Sequence, residues 1–278
     1  MAEKSIWQRI GTIDYRLIYL IVALLTAIPL WSPIGTPVTV GPNVKSYADQ
    51  ISDFESGTVI LCSFSGYMTM LPDVEPIYLA TWKLLFERDC KIMVLNSHVD
   101  SPAVIKEEFE KIKPLENYGK EYGVDYMIFP YQPLPTATEI AFTENIRSVF
   151  EQDFYGTPLD DLPMMATIQS ANDIDWYFSS DASWGNQRYT IPFGVKQLCW
   201  GTGTGLLPFV PPYYDPVIGP CYGYVGGASQ GGELEKYTGL LGEGAKINDA
   251  KNLGLVGLFL FVIFGNIAYF GEKYAGGD

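Results

Sequence analysis

Residues 253–270, LGLVGLFLFVIFGNIAYF, carry no charged side chain, and only Asn266 among them is strongly polar. About 18 apolar residues is the length at which a helix crosses the hydrocarbon core of a bilayer. A second apolar run, LIYLIVALLTAIPLW at 17–31, lies near the other terminus. Two such ends leave residues 32–252 as a polar block held to a lipid bilayer at both ends.

The chain has 278 residues and a formal net charge of −14, room for one large domain plus two anchors. An acidic domain repels phosphate backbones, so nucleic acid is not an expected partner. The same sign argues against adhesion to anionic lipid through a basic patch. No metal or cofactor is expected: His98 is the only histidine and no CxxC occurs among Cys62, Cys90, Cys199 and Cys221. Cys62 and Cys90 fall at opposite ends of neighbouring expected strands, too far apart to bridge. Cys199 and Cys221 pair in an oxidising compartment or stay as buried thiols.

Segment 1–16 carries Lys4, Arg9 and Arg16 ahead of the first apolar run. A charged start before a short apolar core also describes a secretory signal, but SPIGTPVTVGP after Trp31 has no small-x-small cleavage site. A retained anchor is expected, with Tyr15, Tyr19 and Trp31 at the interfaces and Pro29 kinking or ending the helix. Lys4, Arg9, Arg16 and Lys273 flank the spans on one side; Lys45, Lys236, Lys246 and Lys251 flank them on the other. The first helix usually dominates such a near tie, which puts both termini in the cytoplasm and the domain outside.

Segment 32–57 reads as a Pro/Gly-rich linker followed by a short helix at 43–54. Alternation then begins and defines a domain at 58–200. Strands are expected at 58–63 (TVILCS), 91–95 (KIMVL), 125–130 (DYMIFP), 175–179 (DWYFS) and 193–198 (FGVKQL), with helices at 75–88, 102–122 and 139–152. Short apolar strands alternating with helices imply right-handed crossovers and a parallel sheet covered on both faces, a Rossmann-like core. Segment 201–232 mixes Gly, Pro and Tyr and is expected to be irregular. A helix and connector at 233–252 lead into the second span, and 271–278 is a tail.

In an open α/β sheet, ligands bind beyond the carboxyl ends of the strands. That rim offers Ser63 and Ser65 after the first strand, Asn96 and His98 after the second, and Ser180 and Asp181 after the fourth. Polar βα loops also exist simply to carry turns and helix caps. Ser63 or Ser65 with His98 and Asp181 would supply the residue types of a serine hydrolase, yet no GxSxG elbow occurs. SFSGYM is similar to a DxSxS metal loop, but Cys62 replaces the aspartate that a hard cation needs. GTGTG at 201–205 lacks the Lys-Ser/Thr of a P-loop.

Exposed tyrosines on a glycine-rich ribbon make contact area at small entropy cost, so Tyr213, Tyr214, Tyr222 and Tyr224 are candidate interface residues, or else pack on their own domain. Gly254 and Gly257 permit close helix approach, and Asn266 is placed to bond across helices, to the first span or to a second copy.

Four pieces carry a resemblance that covers most of the chain: VILCSFSG with EPIYLATWKLLFERDCKIMVL, KEYGVDYMIFPYQP, DFYGTPLDDLPMM, and GGELEKYTGLLGEGAKINDAKNLGLVGLFLFVIFGNI. Together they resemble a widespread uncharacterised prokaryotic membrane protein family with a Rossmann-like domain anchored by N- and C-terminal transmembrane helices. The family typically has an Asp in the loop after the first strand, where this chain has Ser63, Phe64 and Ser65. The resemblance implies architecture and a prokaryotic cell membrane; it implies no activity. The expected role is a non-enzymatic scaffold subunit in a homo- or hetero-oligomeric membrane complex. The alternative is a small-ligand-binding or sensory domain using the strand-end rim.

Overall fold

The computed structural model describes residues 13–64, 68–96, 98–206 and 208–275. The chain forms two compact units, 39–244 and the pair of terminal segments 1–38 and 245–278.

The larger unit is built on a six-stranded sheet in the order β3-β2-β1-β4-β5-β6, with every pairing parallel. The strands are β1 (Val59–Phe64), β2 (Lys91–Asn96), β3 (Tyr126–Ile128), β4 (Trp176–Ser179), β5 (Lys196–Gly201) and β6 (Cys221–Gly226). The Rossmann-like α/β class is therefore met. Alternation along each strand sends Ile60, Cys62, Phe64, Ile92, Val94 and Phe178 into one apolar layer, and Leu61, Met93, Leu95 and Tyr177 into another. Burial on both faces is why these strands read as continuous apolar runs rather than alternating ones.

Helices cover the first layer. The helix α2 (Pro42–Ser52) presents Val44, Tyr47, Ala48 and Ile51 at helical spacing. The helix α3 (Leu71–Glu87) buries Ile77, Tyr78, Trp82, Leu85 and Phe86; Pro72 sits in the first turn, where no N–H is needed, while Pro76 lies inside the helix and forgoes one backbone bond. The expected helix at 102–122 is instead broken after α4 (Ser101–Ile112). Lys113 adopts a left-handed φ of 53° and Pro114 starts a separate turn. A residue before proline disfavours the α region, which explains the break.

The second layer is covered differently. The expected helix at 139–152 shortens to α5 (Thr136–Glu144), followed by 3-10 turns at Ile146–Ser148, Leu159–Asp161 and Pro163–Ala166. These turns bury Ile146, Leu159, Met164 and Met165 against Leu61 and Met93.

The sheet continues past residue 200, where the sequence suggested an irregular segment. Segment 201–232 contributes β6 and the first half of α6 (Gly227–Thr238). Gly223 explains how such a strand packs: a Cβ there would stand 2.5 Å from the Tyr47 backbone, so only glycine lets β6 lie this close to α2. Tyr213 and Tyr224 pack against the small cluster of Cys199, Leu206 and Cys221, and Tyr222 packs on the main core. Tyr214 meets Tyr224 edge to face at 5.2 Å. The four tyrosines are thus half-buried on their own domain rather than displayed on a free ribbon. All four cysteines are buried and unbridged.

The terminal unit pairs α1 (Tyr15–Trp31) with α7 (Glu243–Ala275). The expected connector at 242–252 is helical and continuous with the apolar run. Its window of highest hydropathy averages 2.2, and Glu243–Tyr274 is the one described helix long and apolar enough to cross a membrane. At 1.5 Å per residue, 253–270 alone covers about 27 Å, close to the thickness of a hydrocarbon core. The helix α1, with 17 residues, is shorter and carries Pro29.

A Cβ on Gly254 would meet Thr26 Cγ2 at 2.9 Å and one on Gly257 would meet Leu25 Cδ1 at 2.6 Å, so these glycines are where the two helices close. Among the described residues, Asn266 makes no bond to the first helix. Its Nδ2 donates to Val262 O at 2.7 Å, one turn back on its own helix, and its side chain is exposed. The Asp249 carboxylate accepts from the backbone N–H groups of Ile34, Gly35 and Thr36 at 2.6, 2.8 and 2.7 Å. Three successive N–H groups on one carboxylate form an anion nest that fixes the chain just after α1.

Candidate functional site

Strand order reverses between β1 and β4, the switch point at which ligands bind in open α/β sheets. A cavity of about 280 Å³ lies there, at the carboxyl ends of β1, β2 and β4. Its wall includes Ser63, Asn96, Ser180 and Asp181, four of the residues the sequence nominated. The strand pleat puts Ser63 and Ser179 on the face that carries Leu61 and Tyr177 deeper in the sheet.

His98 is exposed and does not line this cavity, so the serine, histidine and aspartate of a hydrolase are not assembled around it. Ser65 lies outside the described residues.

Asn96 ends β2 and is 2 % exposed. Its Nδ2 donates to Phe129 O, tying the ends of β2 and β3 together. Its Oδ1 is buried with no hydrogen-bond partner among the described residues. Buried polar atoms are nearly always paired, and an exception calls for a specific reason.

Asp181 is committed to structure as well. Its Oδ1 accepts from Ser183 N at 2.9 Å and Trp184 N at 3.1 Å, capping the turn Ala182–Gly185. Ser179 Oγ donates to Asp181 O at 2.6 Å and accepts from Asp181 N at 3.0 Å, which locks the loop leaving β4. Capping, one of the two readings of these polar loop residues, thus accounts for Asp181 and Ser179.

Sequence reasoning missed Glu139. It lies on α5, is 4 % exposed, and lines the cavity with Trp184. Trp184 Nε1 donates to Glu139 Oε1 at 2.8 Å. Arg188 Nε stands 3.7 Å from Oε2, beyond hydrogen-bond reach, and its guanidinium lies 4.8 Å from the Trp184 ring centroid. Burial pushes the Glu139 carboxyl above the usual glutamate range, while Trp184 and Arg188 pull it back down. Tyr177, its hydroxyl associated with Ser63 and Ser179, forms the floor, and burial raises its pKa too. The sequence gives a lone helical glutamate no distinguishing mark; the signal arises only when residues 139 and 184 meet.

No Lys, Arg or His is found among the described residues lining the cavity. Among the described residues, no group of three or more His, Cys, Asp or Glu converges as a metal site. The arrangement suits hydrogen bonding and charge recognition of a small solute.

The chain matches no protein-family model, and no curated protein or solved structure matches it significantly.

Proposed function

We propose that this chain is a membrane-anchored binding protein for a small polar solute, held at the β1/β4 switch point. The observation that carries this reading is Asn96: a buried side chain on the cavity wall whose Oδ1 has no donor among the described residues. A bound solute supplying that donor removes a desolvation cost of about 1–3 kcal/mol. The cavity lies just under the ordinary size range of ligand sites, which fits a small metabolite. Anchorage through 253–270, with 17–31 as a second span, places the binding domain at a bilayer surface. The first-helix rule sets that surface outside the cytoplasm.

The test is thermal stabilisation of the detergent-solubilised chain by a library of small polar metabolites. A stabilising compound whose effect disappears in both Ser63→Ala and Asn96→Ala supports the reading; a library without any stabiliser opposes it.

A scaffold subunit is the second reading. It is favoured by an apolar loop tip, where Phe209, Val217 and Ile218 are 61, 79 and 77 % exposed. Extraction in mild detergent as an oligomer that Val217→Ser with Ile218→Ser dissociates would support it, and a monomer would exclude it.

A further inference from the structure

We infer that the switch-point cavity selects an organic cation, a small ammonium compound carrying at least one further hydrogen-bond donor. This rests on the solute-binding reading and adds the charge class of the solute.

Two acidic side chains, Glu139 and Asp181, line the cavity, and among the described residues no basic one does. Arg188, which is not among the lining residues, stands 3.7 Å from Glu139 Oε2. Two carboxyls against one guanidinium leave a negative charge uncompensated. The buried orphan on the wall is also an acceptor, Asn96 Oδ1, which asks for a ligand N–H or O–H. Asp181 offers acceptor capacity beyond the Oδ1 spent on capping. A phosphate or carboxylate ligand brings only acceptors and would face these same groups, so the lining disfavours it.

The Glu139 carboxyl faces Trp184, Arg188 and Tyr189 from the segment after β4 and Tyr177 from β4. None of these, Arg188 apart, brings positive charge. An arriving ammonium supplies what burial removed from that carboxyl, so binding favours its ionised form and strengthens as pH rises through its titration.

The experiment uses the full chain in detergent and three probes of matched size: 3-amino-1-propanol, 1,3-propanediol and 3-hydroxypropionate. Isothermal titration at saturating probe, with thermal shift alongside, reads each affinity. The amino alcohol is expected to bind about tenfold or more tightly than the diol, the gain of a charge-assisted hydrogen bond. The anion is expected not to bind. Glu139→Gln keeps an acceptor for Trp184 and should melt no lower than the wild type while losing the amine preference.

Equal or tighter binding of the diol or the anion, removed by Asn96→Ala, overturns the cation inference and leaves the solute site standing. Failure of all three probes on the wild-type chain counts against both. Retention of the amine preference in Glu139→Gln also overturns the inference.

Discussion

Trp184 donates its indole N–H to Glu139 Oε1 at 2.8 Å, joining the helix after β3 to the loop after β4 across the mouth of the switch-point cavity. Forty-five residues separate the two in sequence. Their meeting converts an ordinary helical glutamate into a buried, charge-sensitive group.

That burial has a pH signature. The folded-state pKa of Glu139 lies above its ordinary value, so the folded chain binds this proton more tightly than the unfolded chain does. The associated stability is fully present below the ordinary glutamate pKa and is lost as pH rises through the raised value. Glu139→Gln has no such dependence. Melting temperatures of the two proteins across acid to neutral pH should therefore diverge in favour of the glutamine variant as pH rises. Parallel curves would remove the pKa argument.

Asn96 holds the ends of β2 and β3 through Phe129 O. Asn96→Ala should cost about 1–3 kcal/mol in denaturant unfolding, because it leaves that carbonyl buried without its donor. Asn96→Asp keeps the shape but removes the donor and adds charge, so it should cost at least as much. A neutral Asn96→Ala would mean the tie is dispensable.

Gly223 should tolerate no side chain. Gly223→Ala drives a Cβ into the backbone of Tyr47 and should cost about 1–3 kcal/mol or more, since backbone cannot step aside as a flexible side chain can. Gly194→Ala, where a left-handed φ of 72° is the obstacle and space is open, separates conformational strain from collision.

In the terminal unit, Gly257→Leu should loosen the contact with Leu25 and lower the temperature at which the detergent-solubilised protein aggregates. Gly265→Leu is the control, because nothing lies within 4 Å of a Cβ there. Asp249→Ala should likewise release the turn at Ile34, Gly35 and Thr36 and speed proteolysis between residues 32 and 41.

What the sequence made legible follows from how each element is stabilised. The runs VILCSF and KIMVLN are buried on both faces, so composition alone marked them as parallel strands. CYGYVG gave no such mark, because its fit depends on the absence of a side chain at Gly223. The glycines at 254 and 257 signalled close helix approach through size. The polarity of Asn266 did not fix its partner: a side-chain amide in an apolar helix can bond its own backbone, as it does to Val262 O. At the site, the strand-end rule located Ser63, Asn96, Ser180 and Asp181 through topology. Glu139 and Trp184 enter from loops and helices whose paths no local pattern encodes.

Native mass spectrometry of the full chain, released from its own membrane in mild detergent, tests solute binding most directly. The account predicts a one-to-one, low-mass noncovalent adduct on the wild-type chain that is absent from Ser63→Ala and Asn96→Ala. Wild-type and variant chains of bare polypeptide mass, with no stabilising solute found for any of them, would contradict it.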